Sequence, residues 1–124
     1  MPEILLVDDE ESVLQTVGTL LRTQGYEVTA VREGEKGAEL ISSGNYDVII
    51  TDIRMAPVDG MKLLQIAHDA QPETPVIVIS AYTSEKTIKQ SYQLGCKAYI
   101  KKPFRIEQVL DAVKDVLPQG GSQS

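Results

Sequence analysis

The sequence predicts an α/β domain built on a doubly wound parallel sheet, and three observations carry that prediction. Five short apolar runs begin at Ile4, Val28, Val48, Val76 and Ala98. Three of them, Ile4–Val7, Val48–Ile50 and Val76–Ile79, are apolar throughout rather than alternating, as strands covered on both faces must be. The segments between them mostly place apolar residues at helical spacing, and each is long enough for one helix and two short loops. Repeated five times, this βα unit gives five strands and five helices.

Each element has its own signal. Ile4–Val7 is the first strand. Val13, Leu14, Val17, Leu20 and Leu21 then form one apolar helical face, and Gly25 supplies a stop. Glu27–Val31 alternates, so it reads as an edge strand. Ala38 and Ile41 mark a short second helix ending near Gly44, and Asp47 belongs to the turn before the third strand. Asp59-Gly60 reads as a turn and helix start. Met61, Leu64, Ala67 and His68 mark a third helix that ends before Pro72. The fourth helix, about Ser84 to Leu94, is mostly polar; Ile88, Tyr92 and Leu94 are its only sizeable apolar residues. It is expected to be the least firmly anchored helix. Ile106, Val109, Leu110, Val113, Val116 and Leu117 make a strong fifth helix, closed by Pro118. One domain is expected over residues 1–118, with 119–124 a flexible tail or the start of a linker.

Composition bounds the function. The chain has 124 residues, 42% hydrophobic and 24% charged, enough for one core without disulfides or structural metals. Cys96 is the single cysteine, which points to a reducing, cytoplasmic setting. It reads as a small packed residue, and His68 as a surface or boundary residue. A net charge of −6 makes direct nucleic-acid binding by this domain unfavourable. No apolar run approaches a membrane span, and no signal peptide precedes the first strand.

In an open parallel sheet, residues at the carboxyl ends of the strands converge on one volume. Here they are Asp8-Asp9-Glu10-Glu11 after the first strand, Asp52 after the third, Ser80 after the fourth and Lys101-Lys102-Pro103 after the fifth. Two ionised carboxylates about 4 Å apart repel by roughly 4 kcal/mol at an effective dielectric near 20. Protonation, spreading apart or a bound cation must relieve Asp8, Asp9 and Asp52. A hard divalent ion suits such a set, and Mg²⁺ keeps open positions that accept phosphate oxygens. Without Mg²⁺, Asp9→Ala or Asp52→Ala is expected to raise the melting temperature. With Mg²⁺, Asp52 can act as a nucleophile toward a phosphoryl group. Lys102 and the Ser80 hydroxyl then meet the charge on its oxygens. Nothing obviously activates water, so the site suits holding the group better than turning it over. Lys101 reads as an exposed charge, and Glu10 as facing solvent or capping the first helix.

Taken in order, Ile4-Leu5-Leu6-Val7-Asp8-Asp9-Glu10, Val48-Ile49-Ile50-Thr51-Asp52-Ile53-Arg54-Met55, Val58-Asp59-Gly60, Ile79-Ser80-Ala81-Tyr82 and Gly95-Cys96-Lys97-Ala98-Tyr99-Ile100-Lys101-Lys102-Pro103-Phe104 resemble the receiver domain of two-component response regulators. The resemblance implies a flavodoxin-like fold with strand order 2-1-3-4-5. It implies that Asp52 accepts phosphate from a histidine kinase or phosphotransfer protein. Asp8 and Asp9 match the acidic pair that binds Mg²⁺, Asp9 the more direct ligand, and Arg54 matches the position whose backbone carbonyl completes the set. Ser80 matches the switch hydroxyl, Tyr99 the switch aromatic, and Lys102 the family's lysine, with Lys102-Pro103 its cis peptide. Ala56-Pro57 departs from the more usual Pro-Gly. Arg54 and Tyr82 stand where members vary phosphate lifetime.

The expected function is therefore a phosphoacceptor signalling domain rather than an enzyme, one that assists its own phosphorylation and slow self-dephosphorylation. Its face of fourth helix, fifth strand and fifth helix would address an output domain or protein target, as a monomer or a phosphorylation-dependent dimer. Alternatives are a single-domain phosphorelay or adaptor protein and, less favoured, a Mg²⁺-dependent phosphohydrolase. A flavin or nucleotide site is disfavoured, because Asp8-Asp9-Glu10-Glu11-Ser12 would repel phosphate without a metal.

Overall fold

The computed structural model describes residues 1–53, 60–81 and 84–117. Within them the chain alternates strand and helix. The order is β1 (Glu3–Val7), α1 (Glu11–Thr23), β2 (Glu27–Val31), α2 (Gly34–Ser43), β3 (Val48–Thr51), α3 (Gly60–Ala70), β4 (Val76–Ser80), α4 (Glu85–Gln93), β5 (Cys96–Lys101) and α5 (Ile106–Val116). All strand pairs are parallel, in the order β2-β1-β3-β4-β5. The expected doubly wound sheet is present.

The continuous apolar runs explain the centre of this sheet. β1, β3 and β4 are buried on both faces, because successive side chains point to opposite sides and helices cover each side. On one face Ile4, Leu6, Ile50, Ile77 and Ile79 pack against Val17 and Leu21 of α1 and Val109 and Val113 of α5. On the other, Leu5, Val7, Ile49 and Val78 pack against Ile41 of α2 and Leu63, Leu64 and Ala67 of α3. β2 lies at the edge, where its alternation placed it. α1 and α4 both run out into a glycine with positive φ, Gly25 at 94° and Gly95 at 99°, a conformation glycine adopts without Cβ strain.

The helices differ in how firmly they are held. α4 begins at Ser84, whose Oγ accepts the Thr87 N–H at 3.1 Å. Ser91 is its only buried residue, and Tyr92 is 49% exposed. The expectation of a weakly anchored fourth helix agrees with that burial. His68 is exposed, whereas Leu63 joins the core. β5 starts two residues before the apolar run at Ala98, because a register shift near Val76 and Ile77 lets Cys96 pair with Val76 and enter the core. Asp47 ties the turn before β3 to β1: its carboxylate accepts the Glu3 N–H at 2.7 Å. Arg54, Ala56-Pro57, Asp59, Tyr82, Pro118 and the tail 119–124 lie outside the described residues.

Candidate functional site

Backbone hydrogen bonds just beyond the strands fix where the site residues stand. The Asp8 N–H donates to the Val31 carbonyl of β2, and the Asp52 N–H to the Val7 carbonyl of β1, both at 3.1 Å. The Lys102 N–H donates to the Ser80 carbonyl of β4 at 2.9 Å. Each residue thus leaves its strand from a position held by the neighbouring strand, and all emerge at the carboxyl edge of the sheet. The Lys102-Pro103 peptide is cis, as the resemblance implies.

Lys102 gathers the acidic groups. Its Nζ lies 2.7 Å from Asp52 Oδ2, 2.9 Å from Asp8 Oδ2 and 2.5 Å from Glu10 Oε1. The carboxylate oxygens of Asp8, Glu10 and Asp52 lie within 4.8 Å of one another. Asp8 is 1% and Asp52 6% exposed, whereas the Glu10 side chain is 55% exposed. Three carboxylates face one ammonium, so two negative charges stay uncompensated. The sequence implied crowding of Asp8, Asp9 and Asp52; here Glu10 stands in the cluster and Asp9 outside it, and a cation of the chain relieves the charge in part.

The surroundings shift the protonation equilibria. Burial pushes the Asp8 carboxyl above its ordinary range. The Glu10 N–H and the Lys102 ammonium pull it back, and the charge of Asp52 adds to the rise. Burial alone would lower Lys102, but hydrogen bonds to Asp52, Glu10 and Asp8 outweigh it and hold the ammonium above the usual lysine range.

Ser80 is fully buried at the end of β4. Tyr99 of β5 is half-buried, packs against the core on the α3 side and shares a side-chain hydrogen bond with Ser80. Burial raises its phenol, the Ser80 bond opposes that rise, and the field of Asp52 adds to it. The hydroxyl and the aromatic singled out in the sequence are therefore joined.

Of the predicted residues, Asp8, Asp52 and Lys102 meet directly. Asp9 is exposed and stands outside the carboxylate trio, and Arg54 lies outside the described residues. Glu10 is the residue that the sequence reading missed as a site member. It does stand at the N-cap position of α1, without a side-chain cap bond, but its carboxylate turns to Lys102. A groove of about 480 Å³ opens beside the trio, walled by Val13, Phe104 and Ile106, with Glu10 and Lys102 among its lining.

Residues 4–114 match the family model described as the response regulator receiver domain. The chain belongs to the response regulator receiver domain family. It is 29% identical over 121 residues to the transcriptional regulatory protein YkoG of Bacillus subtilis, covering 98% of this chain and 53% of that protein. Among solved structures, a CheY-like receiver domain protein from Methanospirillum hungatei superposes with a TM-score of 0.92 at 27% identity, covering 100% of this chain and 99% of the other. The response regulator TrrA from Thermotoga maritima, solved in complex with Mg²⁺–BeF, gives 0.84 at 28% identity, covering 94% and 100%. This receiver domain spans about half the length, or less, of the curated relatives it matches.

As a receiver domain, the chain is a signalling module with the flavodoxin-like order 2-1-3-4-5. Its acidic trio offers only oxygen donors with excess negative charge, a set that fits a hard divalent cation. No helix among the described residues is long and apolar enough to cross a membrane.

Proposed function

We propose that Asp52 of this receiver domain accepts a phosphoryl group from the phosphohistidine of a sensor histidine kinase or phosphotransfer protein. The observation that carries the reading is the placement of Lys102 Nζ 2.7 Å from Asp52 Oδ2, in a buried carboxylate cluster with uncompensated negative charge. The Thermotoga relative, solved in complex with Mg²⁺–BeF, supports Mg²⁺ as the cation. Asp8, Asp9, Asp52 and the Arg54 carbonyl would hold it, with the Glu10 carboxylate close by. When bound, it would neutralise charge on the transferring phosphoryl oxygens.

Asp52 Oδ attacks phosphorus, the P–N bond to the donor imidazole breaks, and the imidazole keeps that electron pair and takes a proton. Lys102 turns its ammonium to the phosphoryl oxygens, and the Ser80 hydroxyl moves toward them. Because Ser80 and Tyr99 are bonded, the aromatic follows and reshapes the face of α4, β5 and α5. The groove between α1 and the start of α5 gives the donor an approach. The longer relatives named as transcriptional regulators support an output domain as the receiver's target, with the kinase and receiver meeting in the cytoplasm. Slow self-dephosphorylation resets the switch, in a domain of residues 1–118 followed by a linker or tail. Phosphorylation-dependent dimerisation through α4 and β5 is part of the same proposal.

Incubation with phosphoramidate and Mg²⁺, read by intact mass, tests this. The parent gains one phosphoryl group and Asp52→Ala gains none. No gain in the parent, or equal labelling of Asp52→Ala, overturns the assignment. Multiple turnover of phosphate esters would instead mark a phosphohydrolase.

A further inference from the structure

We propose that Glu10 is a positioning residue for phosphoryl transfer, holding the Lys102 ammonium at the rim of the site once the buried carboxylates are engaged elsewhere. The inference rests on the assignment of Asp52 above and goes beyond it.

The three partners of Lys102 are not equivalent. Asp8 and Asp52 form the buried floor of the carboxylate trio, whereas Glu10 is its exposed member. A cation bound to those aspartates shares their charge and repels the ammonium, so both hold Lys102 less strongly. Glu10, the third partner at 2.5 Å, stands on the solvent side of the cluster.

Both ends of this pair are anchored. The Glu10 N–H donates to Asp8 Oδ1 at 2.9 Å, and its carbonyl accepts the N–H groups of Val13 and Leu14. The Lys102 N–H is held by the Ser80 carbonyl. Only side-chain torsions remain free, and a lysine has a long flexible stem that must be oriented from outside. An ammonium carries three N–H donors. It can keep one on Glu10 and aim others at phosphoryl oxygens, so Glu10 narrows the orientations of the very group that neutralises the transferring charge.

Two variants of Glu10 and one control test this. Glu10→Gln keeps length and removes charge, whereas Glu10→Asp keeps charge and loses reach. Glu11→Gln removes the same charge one residue on, from a side chain equally 55% exposed that pairs instead with Arg32 at 3.6 Å. The first readout needs no phosphodonor: acylation of Lys102 by an amine-reactive ester in saturating Mg²⁺, quantified by peptide mass spectrometry against Lys101. In Glu10→Gln and Glu10→Asp, Lys102 is acylated about tenfold faster relative to Lys101. The second is phosphorylation by phosphoramidate with Mg²⁺: both variants lose about tenfold in saturating rate, and Glu10→Asp keeps the half-saturating donor concentration. Glu11→Gln matches the parent in both.

Parent-like acylation and saturating rate in Glu10→Asp, or matching changes in Glu10→Gln and Glu11→Gln, overturn the positioning role. A parent that takes up no phosphoryl group overturns the assignment of Asp52 instead, and the acylation in Mg²⁺ still judges whether Glu10 holds Lys102.

Discussion

Lys102 Nζ lies 2.7 Å from Asp52 Oδ2 although fifty positions separate them in the chain, and the same nitrogen meets Asp8 and Glu10. Among the described residues, this ammonium is the cation that all three carboxylates share. Charge balance at the sheet edge therefore governs both stability and chemistry, and the first predictions follow from it.

Lys102→Met keeps the aliphatic stem and removes the ammonium. Three carboxylates are then left without a counter-charge, two of them buried, and metal-free stability falls by about 3 kcal/mol. Added Mg²⁺ stabilises this variant more than it stabilises the parent. Urea unfolding in chelator and in Mg²⁺ reads both effects. An equal loss in the two buffers would mean that Lys102 acts through packing alone.

The charge balance also separates two aspartates that the sequence grouped together. Asp52→Asn removes one of three crowded charges and leaves Lys102 with Asp8 and Glu10, so the metal-free protein gains about 1 kcal/mol. Asp9 is exposed and outside the trio, so Asp9→Ala stays within roughly 0.5 kcal/mol of the parent. Thermal melts in chelator compare them. A rise in Asp9→Ala as large as in Asp52→Asn would place Asp9 inside the repulsive cluster.

The Ser80–Tyr99 bond predicts a titration. Burial raises the Tyr99 phenol and the Ser80 bond lowers it. Ser80→Ala removes the lowering contribution, so Tyr99 titrates at still higher pH in that variant. A carbon-13 label on the tyrosine rings, followed by NMR through the alkaline range, resolves it from the other tyrosines. A downward movement contradicts the bond.

Cys96 is 4% exposed, and burial pushes its thiol from 9.0 up to about 11. A raised folded value means that the contribution is fully present below about 9 and is lost as pH rises through about 11. Stability should therefore fall over that window in the parent and fall less in Cys96→Ala. Near neutral pH a thiol-selective reagent labels Cys96 only as fast as the protein opens. Immediate labelling of folded protein would show the thiol to be accessible.

Much of the fold was legible because its signals are local. β1, β3 and β4 are apolar on both faces since helices cover both faces, and that needs no partner to read. The start of β5 was not legible: Cys96 and Lys97 precede the apolar run, and only the register shift against β4 brings Cys96 into the core. The site divides the same way. Asp8, Asp52 and Lys102 announce themselves at strand ends. Glu10 does not, because an exposed carboxylate at a helix start has an ordinary solvent reading. Its partner stands 92 positions away, and only the folded chain brings the two together.

α4 buries a serine where the other helices bury leucine, isoleucine or valine. Ser91 donates to the Thr87 carbonyl of its own helix at 2.9 Å, a partner that moves with it, and meets α3 at Met61 Sδ, 4.0 Å away. Sliding such a segment empties no greasy socket and strands no hydroxyl. In the proposed switch, α4 is thus a shutter whose travel is cheap in both directions, and small forces at the sheet edge suffice to move it.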